Sequence, residues 1–178
     1  LSPHDPQLLA PAQRLKPASA EYPLGTDAFG RDVLSRIIYG GRISLLIGLG
    51  SAVFSIAIGL LIGLVSGFFK WVDAVMMRIM DGLMAIPGIL LAIAVVSLSG
   101  ATLTTVLIAI TIPEIPRVAR LVRSVVLSAR EEPYVEAAIS VGSSLPKIMW
   151  RHLMPNTIAP LIVQGTYVCA SAILTEAI

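Results

Sequence analysis

The sequence predicts an all-α, polytopic transmembrane helical bundle, on three observations. The chain of 178 residues is 56% hydrophobic, only 13% charged, and has a mean hydropathy of +0.85; a soluble domain carries about a quarter charged residues. Its apolar residues fall in long runs that approach or exceed the roughly 20 residues a spanning helix needs. Those runs are continuous, without the alternating ten-residue pattern of a membrane barrel, and only helices or closed barrels satisfy the backbone inside lipid.

Residues 1–42 are polar and punctuated by Pro and Gly, which predicts an extramembrane segment with a short lead-in helix over 32–39. A membrane domain over 43–178 follows. Its first run, 43–69, carries Ser51, Ser55, Gly59, Gly63 and Gly67, one small residue every fourth position. That stripe occupies one helix face and lets another backbone approach closely, the usual means of helix association in lipid. A second run covers 82–98, with Pro87 and Gly88 near its start. After a turn at 99–102, a third run over 103–115 is short for a span and is expected to kink at Pro113 and Pro116. Residues 117–130 then read as a helix emerging into water, and a fourth run extends from about Thr157 to Ile178, making four visible spans. Leu1 in place of Met, and an end inside an apolar run, predict a piece of a longer protein.

Charge sets the orientation. Five basic residues fall on the side of residues 1–42 and eight on the side of 70–81 and 117–155, which places the second side in the cytoplasm. Arg117, Arg120 and Arg123 share a helix edge just beyond the membrane, where anchoring to lipid phosphate is the expected use and contact with an ATPase partner the alternative. The net charge of +2 is spread over short connecting stretches and does not point to nucleic acid.

The sequence offers no catalytic constellation. His4 and His152 stand apart from each other and from any carboxylate cluster, and Cys169 is alone in an apolar run, so no metal site is expected. Lys16, Lys70 and Lys147 do not follow a glycine, so the lysine-bearing phosphate loop is absent. Any ATP hydrolysis belongs to another chain. Glu114, between two prolines, is placed at the cytoplasmic end of the third run, leaving no visible span with a charge at its centre; this lowers the case for a proton- or sodium-coupled carrier.

The segment 117–155 is too long for a simple connector. Glu131 and Glu132 precede Pro133 at the start of a short helix over 134–141, Gly142 breaks it, and Pro146 opens a second short helix through His152. Two short helices meeting at a glycine make a compact knob. Glu136-Ala137-Ala138, then Gly142, then Pro155 resembles the E-A-A loop of ABC importer permeases. His152 and Met154 depart from the isoleucine and leucine that precede the family's proline. The stretch 23–36, with Gly25, Thr26, Asp27, Gly30, Arg31 and Asp32, is similar to the periplasmic lead-in of the dipeptide/oligopeptide/nickel subfamily, its C-type member most of all. The chain's own reading of that stretch is turns at Gly25 and Gly30 and a helix cap at Asp32, ahead of a gate or docking rim.

The resemblance implies a type I ABC importer permease lacking its first span and its C-terminal span here. It implies a non-enzymatic subunit of the bacterial inner membrane that passes peptides or related small solutes by alternating access. It also implies a second permease as heterodimer partner, two cytoplasmic ATP-binding subunits that hold ATP and Mg, and a periplasmic solute-binding protein. Glu136, Ala137, Ala138, Gly142 and Pro155 would couple the ATPase to the spans, with Glu136 bonding backbone amides or a nearby arginine. A channel or secondary carrier is the alternative. Dipeptides, oligopeptides, nickel chelates, opines and glutathione all fall within the subfamily's range.

Overall fold

A computed structural model describes residues 2–177. The terminal residues Leu1 and Ile178, on which the expectation of cut ends rests, lie outside the described residues. Among the described residues the architecture is helical throughout, with one isolated antiparallel bridge between Thr26 and Asp32. The chain forms two compact units that divide between Leu46 and Ile47.

In the first unit, turns around a 3₁₀ turn at Pro11–Gln13 lead to helix α1, Val33–Phe68. Asp32 caps it: its carboxylate accepts from the backbone N–H groups of Leu34 (3.3 Å) and Ser35 (3.2 Å) and from Ser35 Oγ (2.6 Å). The helix passes through Gly40 and Gly41 without a break, so the expected lead-in helix and first span are one element of 36 residues. At 1.5 Å per residue that is about 54 Å, well beyond the hydrocarbon thickness of about 30 Å.

The second unit is built around α4, Leu103–Ala129. Thr102 caps α4 and forms a reciprocal capping box with Thr105. Helix α2, Lys70–Met84, and helix α3, Gly88–Ser99, meet at a bend of 82°. The cause is local: Pro87 lacks the N–H that would continue α2, and it restricts Ile86 away from the helical region. The expected second span is therefore not a straight crossing. Alone, α3 rises only about 18 Å.

Pro113 and Pro116, where a kink is expected, both lie inside α4. Each ring withdraws one backbone donor, from the carbonyls of Ala109 and Ile112, yet α4 continues through both. Pro116 is fully buried, and close packing on both sides holds the helix together. Likewise, helix α5, Pro133–Ser140, is followed by α6, Leu145–Ile148, a π-helical turn at Met149–Leu153, and α7, Met154–Glu176, which run on as a single element of 32 residues. The second short helix of the expected knob is thus the first part of the last long helix.

Among the described residues two helices are long and apolar enough to cross a membrane, Val33–Phe68 and Leu145–Glu176, or three if the bent α2–α3 pair counts as one. Of the four expected spans this leaves α4, whose length suffices but whose second half carries Glu114, Arg117, Arg120 and Arg123.

The stripe of small residues explains how α1 seats on α4. Ser51 and Ser55 are completely buried. A Cβ added to Gly59 would lie 2.6 Å from Val118 Cβ, one on Gly63 2.5 Å from Val122 Cβ, and one on Gly67 2.6 Å from Val126 Cγ1. Three glycines at four-residue spacing therefore receive three valines at the same spacing. Those valines join Leu64, Val135, Ile148, Leu153 and Leu161 in the core.

Candidate functional site

The elbow between α4 and α7 is shaped by short-range chemistry. Beyond Ala129 the chain turns through hydrogen bonds from Glu131 N–H to Ser128 O (3.2 Å) and from Glu132 N–H to Ala129 O (3.2 Å). Pro133 then starts α5 in its first turn, where a missing N–H costs nothing. At the other end, Gly142 N–H donates to Ile139 O (2.9 Å) and Ser143 N–H to Ala138 O (3.0 Å), the pair of bonds that defines a Schellman cap. Gly142 has φ +79°, a left-handed conformation that costs an L-residue about 1–2 kcal/mol.

Two buried side chains hold this elbow down. Val135 of α5 and Ile148 of α6 are 0% and 1% exposed, and both belong to the cluster containing Val126 and Ala129. Burying each contributes about 1.5–3 kcal/mol. Tyr134 Oη accepts from Asn156 Nδ2 (2.9 Å), which also donates to His152 O (2.6 Å), so the start of α5 is tied to the start of α7. Arg130 Nη1 donates to Gly67 O (3.2 Å), joining the ends of α4 and α1. The outward side is left bare. Glu136, Ala137, Ile139, Val141 and Gly142 are exposed, Val141 by 86%.

Of the residues singled out from sequence, Glu136, Ala137, Ala138 and Gly142 share this elbow, with Ala138 half-buried against the core. Pro155 stands in the first turn of α7, next to the Asn156 tie. The Glu136 carboxylate has no hydrogen-bond partner among the described residues; the expected bond to amides or an arginine is not made, and the group faces outward. Val135 and Ile148, which set the elbow's position, escaped the sequence reading. Their signal was present as apolar residues within otherwise polar or small-residue segments.

The arginine row has acidic partners within the chain. Arg123 makes a two-pronged ion pair with Asp73 of α2 (Nη2–Oδ2 2.6 Å), Arg120 pairs with Asp81 of α2, and Arg117 Nη1 contacts Glu114 Oε1 at 3.1 Å. Two of the three guanidiniums thus clasp α2 to α4.

The lead-in motif lies wholly in the first unit and forms a closed knot. Asp27 accepts from the backbone of Phe29 (2.8 Å) and Arg31 (3.0 Å), from Arg31 Nε (2.7 Å) and from Arg36 Nη1 (2.6 Å). Thr26 Oγ1 accepts from Lys16 N–H (2.8 Å) and donates to Gln13 O. Gly25 O accepts from Val33 N–H (3.2 Å). Gly30 has φ +76°, and any Cβ there would overlap the Ala10 carbonyl. Asp32 is 3% exposed and also lies 3.3 Å from His4 Nδ1.

Burial raises the pKa of both Asp27 and Asp32, but hydrogen bonds to the ionised forms outweigh it. For Asp27 these come from Arg31, Phe29 and Arg36; for Asp32 from Ser35, His4 and Leu34. Both carboxyls are held below the usual range. The stability they contribute is therefore complete above the unfolded carboxylate pKa of about 4 and is lost as pH falls through the depressed folded values. Hydrogen exchange of the intact solubilised protein, corrected for intrinsic rates, is expected to show protection over residues 25–36 dropping between pH 5 and 2. Asp32→Asn is expected to weaken protection already at pH 7. Protection that stays flat over this pH range would contradict the assignment.

A family model described as binding-protein-dependent transport system inner membrane component matches residues 55–178. Among curated proteins, the chain is 56% identical over 173 residues to a probable peptide ABC transporter permease protein of Sinorhizobium fredii, covering 97% of this chain and 60% of that protein. It is 44% identical over 168 residues to a dipeptide transport system permease protein of Alkalihalophilus pseudofirmus (94% and 55%). It is 40% identical over 180 residues to a glutathione transport system permease protein of Pectobacterium atrosepticum (99% and 60%). The chain thus spans somewhat over half the length of the curated relatives it matches.

Proposed function

From the premise that this chain belongs to the family of binding-protein-dependent transport system inner membrane components, we propose that it is the permease subunit of an ATP-driven importer of short peptides or related small solutes. In this reading it works in the bacterial inner membrane beside a second permease. Two cytoplasmic ATP-binding subunits carry ATP and Mg and perform the hydrolysis, and a periplasmic binding protein delivers the solute. The chain itself catalyses no bond change.

One observation carries the proposal: the elbow is anchored on its inner side by Val135 and Ile148 and bare on its outer side at Ile139 and Val141. A short helix fixed in this way moves with α4 and α7 as a single body. A push on its exposed face by a partner is thereby passed into the long helices instead of being absorbed by a flexible loop. Exposed apolar side chains on a knob outside the apolar helices suit a protein groove. The names of the relatives, which include peptide, dipeptide and glutathione permeases, support the solute class.

The test is reconstitution of the full-length permease pair, with its ATP-binding subunits and binding protein, in proteoliposomes. The expected result is uptake of labelled dipeptide that requires ATP and the binding protein, with both permeases co-purifying with the ATPase. Uptake that persists without the ATP-binding subunits would overturn the proposal in favour of a carrier or channel.

A further inference from the structure

Arg120 and Arg123 tie α4 to α2, but the remaining arginine of the row does nothing of the kind. Arg117 pairs with Glu114, one turn earlier on the same helix, so the pair joins no two elements. Glu114 is 7% exposed and sits near the middle of α4. A carboxylate this deep is costly to desolvate, and its packing needs would be met by a neutral residue.

The pair borders a cavity of about 340 Å³ between the α2–α3 break, α4 and α7, whose lining includes Pro87, Gly88, Pro113 and Ser171. The Ser171 hydroxyl has no hydrogen-bond partner among the described residues. A second, mostly apolar cavity of about 320 Å³ adjoins it along Ile89, Ala92, Ile110 and Thr175. Both volumes fall in or near the range of small-molecule sites, about 300–1,000 Å³, and an apolar chamber with a few polar groups at one end is their usual composition.

We infer that this cavity is a solute-contact site for a small zwitterion with apolar substituents, such as a short peptide, with Glu114 receiving the ammonium and Arg117 the carboxylate. The inference rests on the proposed permease function. The chemistry is an exchange of partners: the opposite charges of Glu114 and Arg117, 3.1 Å apart in the empty pair, separate to take the opposite charges of the solute. Neither charge is left unpaired before or after, which keeps the buried carboxylate compensated throughout. The adjoining chamber, apolar except for Ser97, Thr175 and Glu176 in its lining, accommodates the solute's side chains.

The test uses the complete transporter carrying Ser171→Cys in a Cys169→Ser background, labelled with a small maleimide. Dialanine, which carries both charges, is expected to slow labelling. N-acetyl-dialanine, which lacks the ammonium, is expected to need about tenfold higher concentration for the same protection, the worth of one charge-assisted hydrogen bond. Glu114→Gln should erase that difference, each rate being referred to the same variant without peptide. Arg117→Gln gives the mirror result with dialaninamide, and stands in should Glu114→Gln fail to assemble. The inference is overturned if dialanine gives no protection, or if Glu114→Gln weakens protection by both probes equally, as a purely structural pair would. ATP-driven uptake by the unmodified assembly reports separately on the permease function: its loss with protection intact would remove that function and leave the site standing.

Discussion

Gly142→Pro in the reconstituted transporter is expected to abolish most ATP-driven uptake while leaving the amount of permease in the membrane near normal. Proline fixes φ at about −65° and has no N–H, whereas this position has φ +79° and donates to Ile139 O. The Schellman cap cannot form, and α5 cannot end where it does. No clash is involved, since a Cβ at Gly142 would meet nothing within 4 Å. The defect therefore lies in backbone geometry, and the graded series follows from it. Gly142→Asn, which tolerates the left-handed region, should retain most uptake. Gly142→Ala should be intermediate, at a cost of about 1–2 kcal/mol. Gly142→Val should approach the proline variant. Coupling is read as uptake per ATP hydrolysed. If the proline variant couples as wild type does, the elbow is not the transmitting element.

The second large effect is expected at the α1–α4 seam. Gly63→Leu should eliminate folded permease from the membrane, measured as detergent-stable monodisperse protein. The first added carbon would already lie 2.5 Å from Val122 Cβ and 2.6 Å from Ala119 O. The second of these is backbone and cannot rotate away, so α1 must move off α4. Overpacking a core by a methylene or two costs about 1–3 kcal/mol, and here the displaced partner is a whole helix. Gly63→Ala should lower the melting temperature, and Val122→Ala should restore little of it, because it removes only the Cγ1 contact (2.8 Å) while Val122 Cβ (2.5 Å) and the Ala119 carbonyl (2.6 Å) remain. Gly82→Ala is the control: nothing lies within 4 Å of its added carbon, and alanine favours a helix over glycine by about 1 kcal/mol, so stability should hold or rise. Equal losses at Gly63 and Gly82 would mean that the stripe is not a close-approach surface.

The elbow and the seam were both legible in the sequence, for the same reason. Their determinants are short-range: a glycine that ends a two-turn helix, a proline that starts one, small residues every fourth position. Spacing of that kind sets a face or a turn whatever the rest of the chain does. The capping role of Asp32 was legible on the same grounds, being decided within three residues.

Other features depended on partners far away in the chain. The arginine row resembled a lipid anchor because its basic edge could be read, while its acceptors, Asp73 and Asp81, lie 50 and 39 residues earlier. Pro113 and Pro116 weaken the helix locally, yet α4 runs through both, with Pro116 fully buried. The sequence by itself determined the helical membrane class, the close-packing stripe and the elbow, since each follows from backbone preferences and periodicity within a few turns. Only the tertiary structure decided which apolar residues hold the elbow down and which charges neutralise one another, because those outcomes depend on burial and on distances between segments that are remote in the chain.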